Sequence, residues 1–232
     1  IAFGLIDKSG NCLANGSLPT TAYNTPQAFV QDLYKTVKKE LTQLDVQLVG
    51  IGVGAPNGNY FNGTIENAAN LSWKGTIHTL VCGGDRYCNC GRRGCLETYA
   101  SATGIKRTAC ELLALENTPS TLRDIPYTEI SAKKVYDAAQ KGDPIALEAF
   151  RITGEQLGKA LANLVAITSP EAIFLQGGVA NAGEWLFKTT QEQMEANMLY
   201  IFKQKIKILR SSLPTNAAIY GASALVWTEL NN

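Results

Sequence analysis

Three thiols fall within eight residues in the run Cys88-Asn89-Cys90-Gly91-Arg92-Arg93-Gly94-Cys95, and the only histidine of the protein, His78, stands ten residues before the first of them. Neighbours in a Cys-x-Cys pair cannot easily bond to each other, because disulfide geometry needs more freedom than one intervening residue allows. They can converge on one metal ion. Gly91 and Gly94 let the backbone fold back so that the third thiol meets the first two. Three thiolates and one imidazole would complete a tetrahedron around Zn²⁺, at about 2.3 Å for each Zn–S and about 2.0–2.1 Å for Zn–N. With all four positions filled no vacancy is left for water, so the predicted zinc site is structural rather than catalytic. The plainer alternative is a loop of reduced cysteines beside an unrelated surface histidine. Cys12 and Cys110 read as small core residues, and Cys82 has no assigned role.

Regular elements must hold that cluster in place. Residues 2–7 and 12–18 read as two strands joined by the turn Lys8-Ser9-Gly10-Asn11. Pro26 opens a helix whose apolar face is Phe29, Val30, Leu33, Tyr34, Val37, Leu41 and Leu44. Val46 to Val53 reads as a buried strand running into the loop Gly54-Ala55-Pro56-Asn57-Gly58, and this order implies a mixed sheet covered by helices. Beyond the thiols the chain reads as mostly helical. Ser101 caps a helix through Leu115, Ser131 caps another through Gln140, and Asp143-Pro144 opens a long one to about Thr168. Glu171 to Leu175 reads as a short buried strand ending in Gly177-Gly178. A helix from Glu184 to Met198, a strand at Lys205–Leu209 and a helix at Ala217–Glu229 follow.

The 232 residues are 45% hydrophobic and 18% charged, enough for a well-buried core in one large or two small domains. A net charge of +1 gives no field that would draw the chain to nucleic acid or an acidic membrane. No apolar run approaches the roughly 20 residues that span a bilayer, and the opening residues do not read as an export signal. Four of the six cysteines crowd into residues 82–95, which favours a cytoplasmic chain with metal-bound or reduced thiols.

His78, with Cys88-x-Cys90-Gly91-x-x-Gly94-Cys95-x-Glu97, resembles the zinc signature of the ROK-family sugar kinases. Gly50-Ile51-Gly52-Val53-Gly54-Ala55-Pro56-Asn57-Gly58 is similar to that family's glycine–proline sugar loop, and Asn70-Leu71-Ser72-Trp73 to its Asn-Leu segment ending in Trp. Glu97-Thr98-Tyr99-Ala100-Ser101 continues the signature, Gly177-Gly178 matches a Gly-Gly turn after a strand, and Asn216 to Ala222 is like the closing helix. The resemblance implies the two-lobed actin/hexokinase-like α/β fold (ribonuclease H-like) with a structural zinc loop. A small lobe would be built from 1–77 and 216–232, and a large lobe from 78–215. It further implies phosphoryl transfer from Mg²⁺-ATP to a hexose by a cytoplasmic homo-oligomer, dimer or tetramer. The glucokinase-like wording around Cys95-Leu96-Glu97 points to glucose, phosphorylated at O6.

By the same resemblance Glu97 accepts hydrogen bonds from sugar hydroxyls, His78 touches one, Gly58 and Asn70 line the sugar site, and Gly177 and Gly178 approach the nucleotide. Apart from the resemblance, Glu97 is a charge that favours the start of the following helix, worth about 0.3–1 kcal/mol, and Gly177-Gly178 is a tight turn. No catalytic residue is assigned. Asp7 and Asp143 read as turn or cap residues, Asp85 as part of the loop beside the thiols, and Arg92 and Arg93 as a solvated loop. The family's phosphate loop and its Asn-Asp pair have no counterpart. Only four residues separate Trp73 from His78, so further segments are expected there and before Ile1. Two other classes share the motif: a sugar-responsive transcriptional regulator, and a non-catalytic sugar-binding protein of the same fold.

Overall fold

The computed structural model describes residues 1–19, 22–54, 58–59, 64–65, 83–212 and 217–231. They belong to two compact units, one of Ile1–Ile77 with Leu213–Asn232, the other of His78–Ser212.

In the first unit, β1 (Ala2–Ile6) pairs antiparallel with β2 (Cys12–Ser17), Ala2 opposite Ser17. The turn between them is closed by Asp7, whose carboxylate accepts from the N–H groups of Ser9 and Asn11 at 2.9 and 2.8 Å. Helix α1 (Pro26–Leu44) begins on Thr25, whose hydroxyl accepts from Ala28 N–H, and ends on Asp45 in the left-handed region. Its apolar stripe is narrower than the sequence suggests. Phe29, Leu33, Val37 and Leu41, spaced by four, are half-buried, while Val30 and Tyr34, one position further round the helix, are 57% and 62% exposed. The expected strand at Val46–Val53 does not form: the segment has no regular structure, and Ile51 and Val53 are 74% and 73% exposed. A strand is defined by its ladder partner, and among the described residues none pairs with this run. Short strands β3 (Gly58–Asn59) and β4 (Thr64–Ile65) pair antiparallel, and α6 (Ala217–Asn231) packs on β1.

The second unit is built on helices α2 (Ala102–Leu115), α3 (Ala132–Ala139), α4 (Pro144–Thr168) and α5 (Glu184–Asn197). Three N-caps anticipated from sequence take the geometry that local chemistry requires. Ser101, Ser131 and Asp143 accept from the N–H groups of Gly104, Lys134 and Ala146. Ile105, Leu112, Leu122, Val135, Ile145, Phe150 and Leu186 form the main core. Helices α4 and α5 cross closely because Gly158 lacks a side chain; a Cβ there would lie 2.6 Å from the Thr190 carbonyl oxygen.

Strand β5 (Ala172–Leu175) runs parallel to β6 (Lys207–Arg210). Ile173, Leu175 and Ile208 pack on a second cluster around Leu161, Val165 and Met194. The opposite face is open, with Phe174 64% exposed, so β5 is not the fully buried strand that its composition suggests. Instead of one mixed sheet, the described residues hold three separate strand pairs. The outer edge of β6 is met by a side chain: Gln191 on α5 donates to Ile206 O at 3.1 Å and accepts from Ile208 N–H at 3.0 Å.

Candidate functional site

The thiols sit on a small hairpin. Tyr87 and Arg93 form an antiparallel bridge, Cys88 N–H donates to Arg92 O, and Gly91 N–H returns to Cys88 O at 2.9 Å to close the turn. Gly94 then lies with φ +69° against the backbone of residues 83–84, where a Cβ would come within 2.8 Å of Gly84 O. With Gly94 in this conformation the chain passes into Cys95, whose sulfur meets those of Cys88 and Cys90. The next residues, Leu96–Thr98, make a 3₁₀ turn that leads into α2.

All three sulfurs lie within 4.8 Å of one another, with Cys90 Sγ and Cys95 Sγ 3.5 Å apart. Tetrahedral zinc with Zn–S near 2.3 Å asks for sulfur separations of about 3.8 Å, so the triangle fits such an ion. The chemistry of the donor set also fits. Cys95 is fully buried, and burial, reinforced by hydrogen bonds and repulsion from Cys90 and Cys88, pushes its thiol up to about 12. A dication inside the triangle removes the cost that keeps that thiol protonated. His78, the expected fourth ligand, lies outside the described residues, as do Asn70 and Cys82. Cys110 is buried in the main core and Cys12 is half-buried in β2, neither near the hairpin in sequence.

Glu97 stands exposed on the 3₁₀ turn, two residues past Cys95. Gly58 belongs to β3, and Gly177 and Gly178 form the link from β5 to a 3₁₀ turn at Val179–Ala182. Asp143, expected as a cap, does more than cap. Its buried carboxylate accepts from Ser120 and Thr121 as well as Ala146 N–H. Burial alone would raise it, yet these bonds, with Ala146 N–H and Thr121 foremost, hold the carboxyl below its ordinary value.

Sequence reasoning missed one buried charge. Arg86 is 7% exposed at the foot of the hairpin. Its guanidinium donates to Thr98 O at 2.8 Å and to Glu111 Oε2 at 2.5 Å, and lies 4.2 Å from the centre of the Tyr99 ring. The other Glu111 oxygen takes Arg107 Nε at 2.8 Å, and Arg107 also reaches Tyr87 O. An Arg two residues before a thiol cluster and a Tyr four residues after it were the only local signals; the carboxylate partner is 25 positions away.

A model of the ROK family matches residues 76–229, the stretch that contains this hairpin and the helices behind it. The chain belongs to the ROK family. The glucokinase of Halalkalibacterium halodurans is 34% identical over 187 residues, 80% of this chain and 57% of that protein. Regulators match as well: the DNA-binding transcriptional dual regulator NagC of Escherichia coli is 30% identical over 184 residues, 79% of this chain and 43% of its own length. The crystal structure of a ROK family glucokinase from Streptomyces griseus, in complex with glucose and AMPPNP, aligns with a TM-score of 0.75 at 21% identity, covering 96% of this chain and 94% of that one. That likeness shows the actin/hexokinase-like fold. The chain spans about half the length of the curated relatives it matches. Among the described residues no helix is long and apolar enough to cross a membrane.

Proposed function

We propose that this ROK protein is an ATP-dependent hexose kinase whose preferred substrate is glucose, phosphorylated at O6. The observation that carries the reading is the exposed Glu97 carboxylate on a turn that starts from the largely buried thiol triangle. A hexose is a ring of hydroxyls, and it is recognised by acceptors that do not move. Glu97 accepts from neighbouring sugar hydroxyls, each charge-assisted bond contributing roughly 1.5–3 kcal/mol. Zinc bound by Cys88, Cys90, Cys95 and His78 would supply structural rigidity there, and the ligands would hold it closed to water. By the family resemblance His78, Asn70 and Gly58 are each proposed as further sugar contacts, and Gly177 and Gly178 as nucleotide contacts. Magnesium arrives with ATP, and in phosphoryl transfer the protein's main tasks are alignment and charge screening.

The choice of kinase over regulator leans on the glucokinase likeness, which is higher in identity and in shared length than that to NagC. Coupled assays of the full-length protein with Mg-ATP and glucose, mannose, N-acetylmannosamine or fructose test it. Turnover of glucose above the others is expected. Turnover of none removes the kinase reading and leaves the regulator, which would bind DNA and release it on adding sugar, or a non-catalytic sugar binder.

A further inference from the structure

We infer that Arg86 is the positioning residue for the Glu97 carboxylate, clamping the Cys95–Glu97 segment at both ends while Glu111 holds the clamp in register; this rests on the proposed role of Glu97 as a sugar contact. The Arg86 carbonyl accepts from Gly94 N–H at 3.0 Å, immediately before Cys95. Its guanidinium donates to Thr98 O at 2.8 Å, immediately after Glu97. One residue therefore grips both flanks of Cys95-Leu96-Glu97.

The grip is rigid for reasons specific to this side chain. A guanidinium presents donors in fixed directions within a plane. Here one arm is spent on Thr98 O, the other on Glu111, and the face on the Tyr99 ring. With 7% of Arg86 exposed, its charge needs compensation within the protein, which Glu111 supplies. Glu111 is itself fixed by Arg107, whose other arm reaches Tyr87 O on the hairpin. The thiols fix where the turn begins; Arg86 fixes where it ends.

Lysine at position 86 keeps the charge but cannot donate along two fixed directions and stack at once. The test compares the native full-length protein, prepared with zinc, with Arg86→Lys, Glu97→Gln and the double variant. Glucose binding is measured by calorimetry, together with the KM for ATP, zinc content and melting temperature. Arg86→Lys is expected to weaken glucose binding about five- to tenfold, on the scale of one charge-assisted hydrogen bond, with zinc content unchanged and the ATP KM within about twofold. In the Glu97→Gln background the same change should add less than about twofold, because both act on one contact.

Native-like glucose binding by Arg86→Lys, or the same fold-loss with and without Glu97→Gln, overturns the assignment of Arg86 alone. A Glu97→Gln variant that binds glucose normally overturns the sugar-contact reading first, and the assignment of Arg86 with it. Where Arg86→Lys loses zinc, Glu111→Gln takes its place. It keeps the shape and one acceptor but removes the charge that anchors the guanidinium. It should weaken glucose binding about two- to threefold, again less than additively with Glu97→Gln, and full additivity there is equally decisive against the proposal.

Discussion

Between Tyr87 and Cys95 the chain buries little besides thiols and a glycine, whereas from Ala102 to Asn197 helix after helix contributes apolar side chains to one core. The helical body is held by removal of carbon from water, a force indifferent to metal and redox state. The hairpin is held by polar contacts and by whatever its three thiols bind. Its stability is therefore set by solution chemistry, and the residue proposed to meet the sugar grows from this conditional region.

Phe150→Ala should give the largest effect and mark the body's independence. Phe150 is 2% exposed, and truncation of such a side chain costs about 3–5 kcal/mol. Urea unfolding should show that loss while zinc content per folded molecule stays as in the native protein. A proportionate loss of zinc would mean that body and hairpin are one cooperative structure.

Asp143→Ala comes next, at about 2–3 kcal/mol from a lost cap and buried charge-assisted bonds. Because the folded carboxyl titrates below its unfolded value of about 3.9, its contribution is complete at neutral pH and persists down to about pH 4. It then fades as pH falls through the lower folded value. Stability measured against pH should show the gap between native and variant narrowing as pH falls below about 4, and a gap that keeps its neutral-pH size throughout the acid range would contradict the hydrogen-bond account.

Cys90→Ser probes the hairpin from the other side. It removes one corner of the sulfur triangle, so bound zinc should fall and the melting temperature drop by about 4–8 °C, equivalent to about 2 kcal/mol. Hydrogen exchange should quicken at residues 86–98 and stay native-like in α3 to α5. Unchanged zinc and melting would deny the thiols a structural metal. The smallest effect expected is that of Ser101→Ala, about 1 kcal/mol for a lost cap, confined to the start of α2 and visible in the same exchange experiment.

What the sequence disclosed follows from the range of the interactions involved. Ser101, Ser131 and Asp143–Pro144 are read correctly because a cap satisfies N–H groups only two or three residues ahead. The convergence of Cys88, Cys90 and Cys95 is equally local, since two glycines and one turn suffice. Val46–Val53 misleads because an apolar run reports a wish for burial and not the partner that grants it. Tyr34 and Val30 mislead similarly, since periodicity marks a face of the helix but not how wide a neighbour covers it. Arg86 was invisible because its meaning depends on Glu111, a full helix later. Asp143 was half-legible: its cap is local, its bonds to Ser120 and Thr121 are not.

The Gln191 amide has a consequence for growth of the parallel pair. A carboxamide offers one donor and one acceptor in the same plane, the arrangement of a peptide group, so β6 meets on its outer side what another strand would have presented. Recruitment of a stray strand at Ile206 and Ile208 would first have to evict that half-buried amide and break both of its hydrogen bonds. Extension of the sheet past β6 is thereby opposed: a newcomer, whether from this chain or another, meets an edge whose polar groups are already answered.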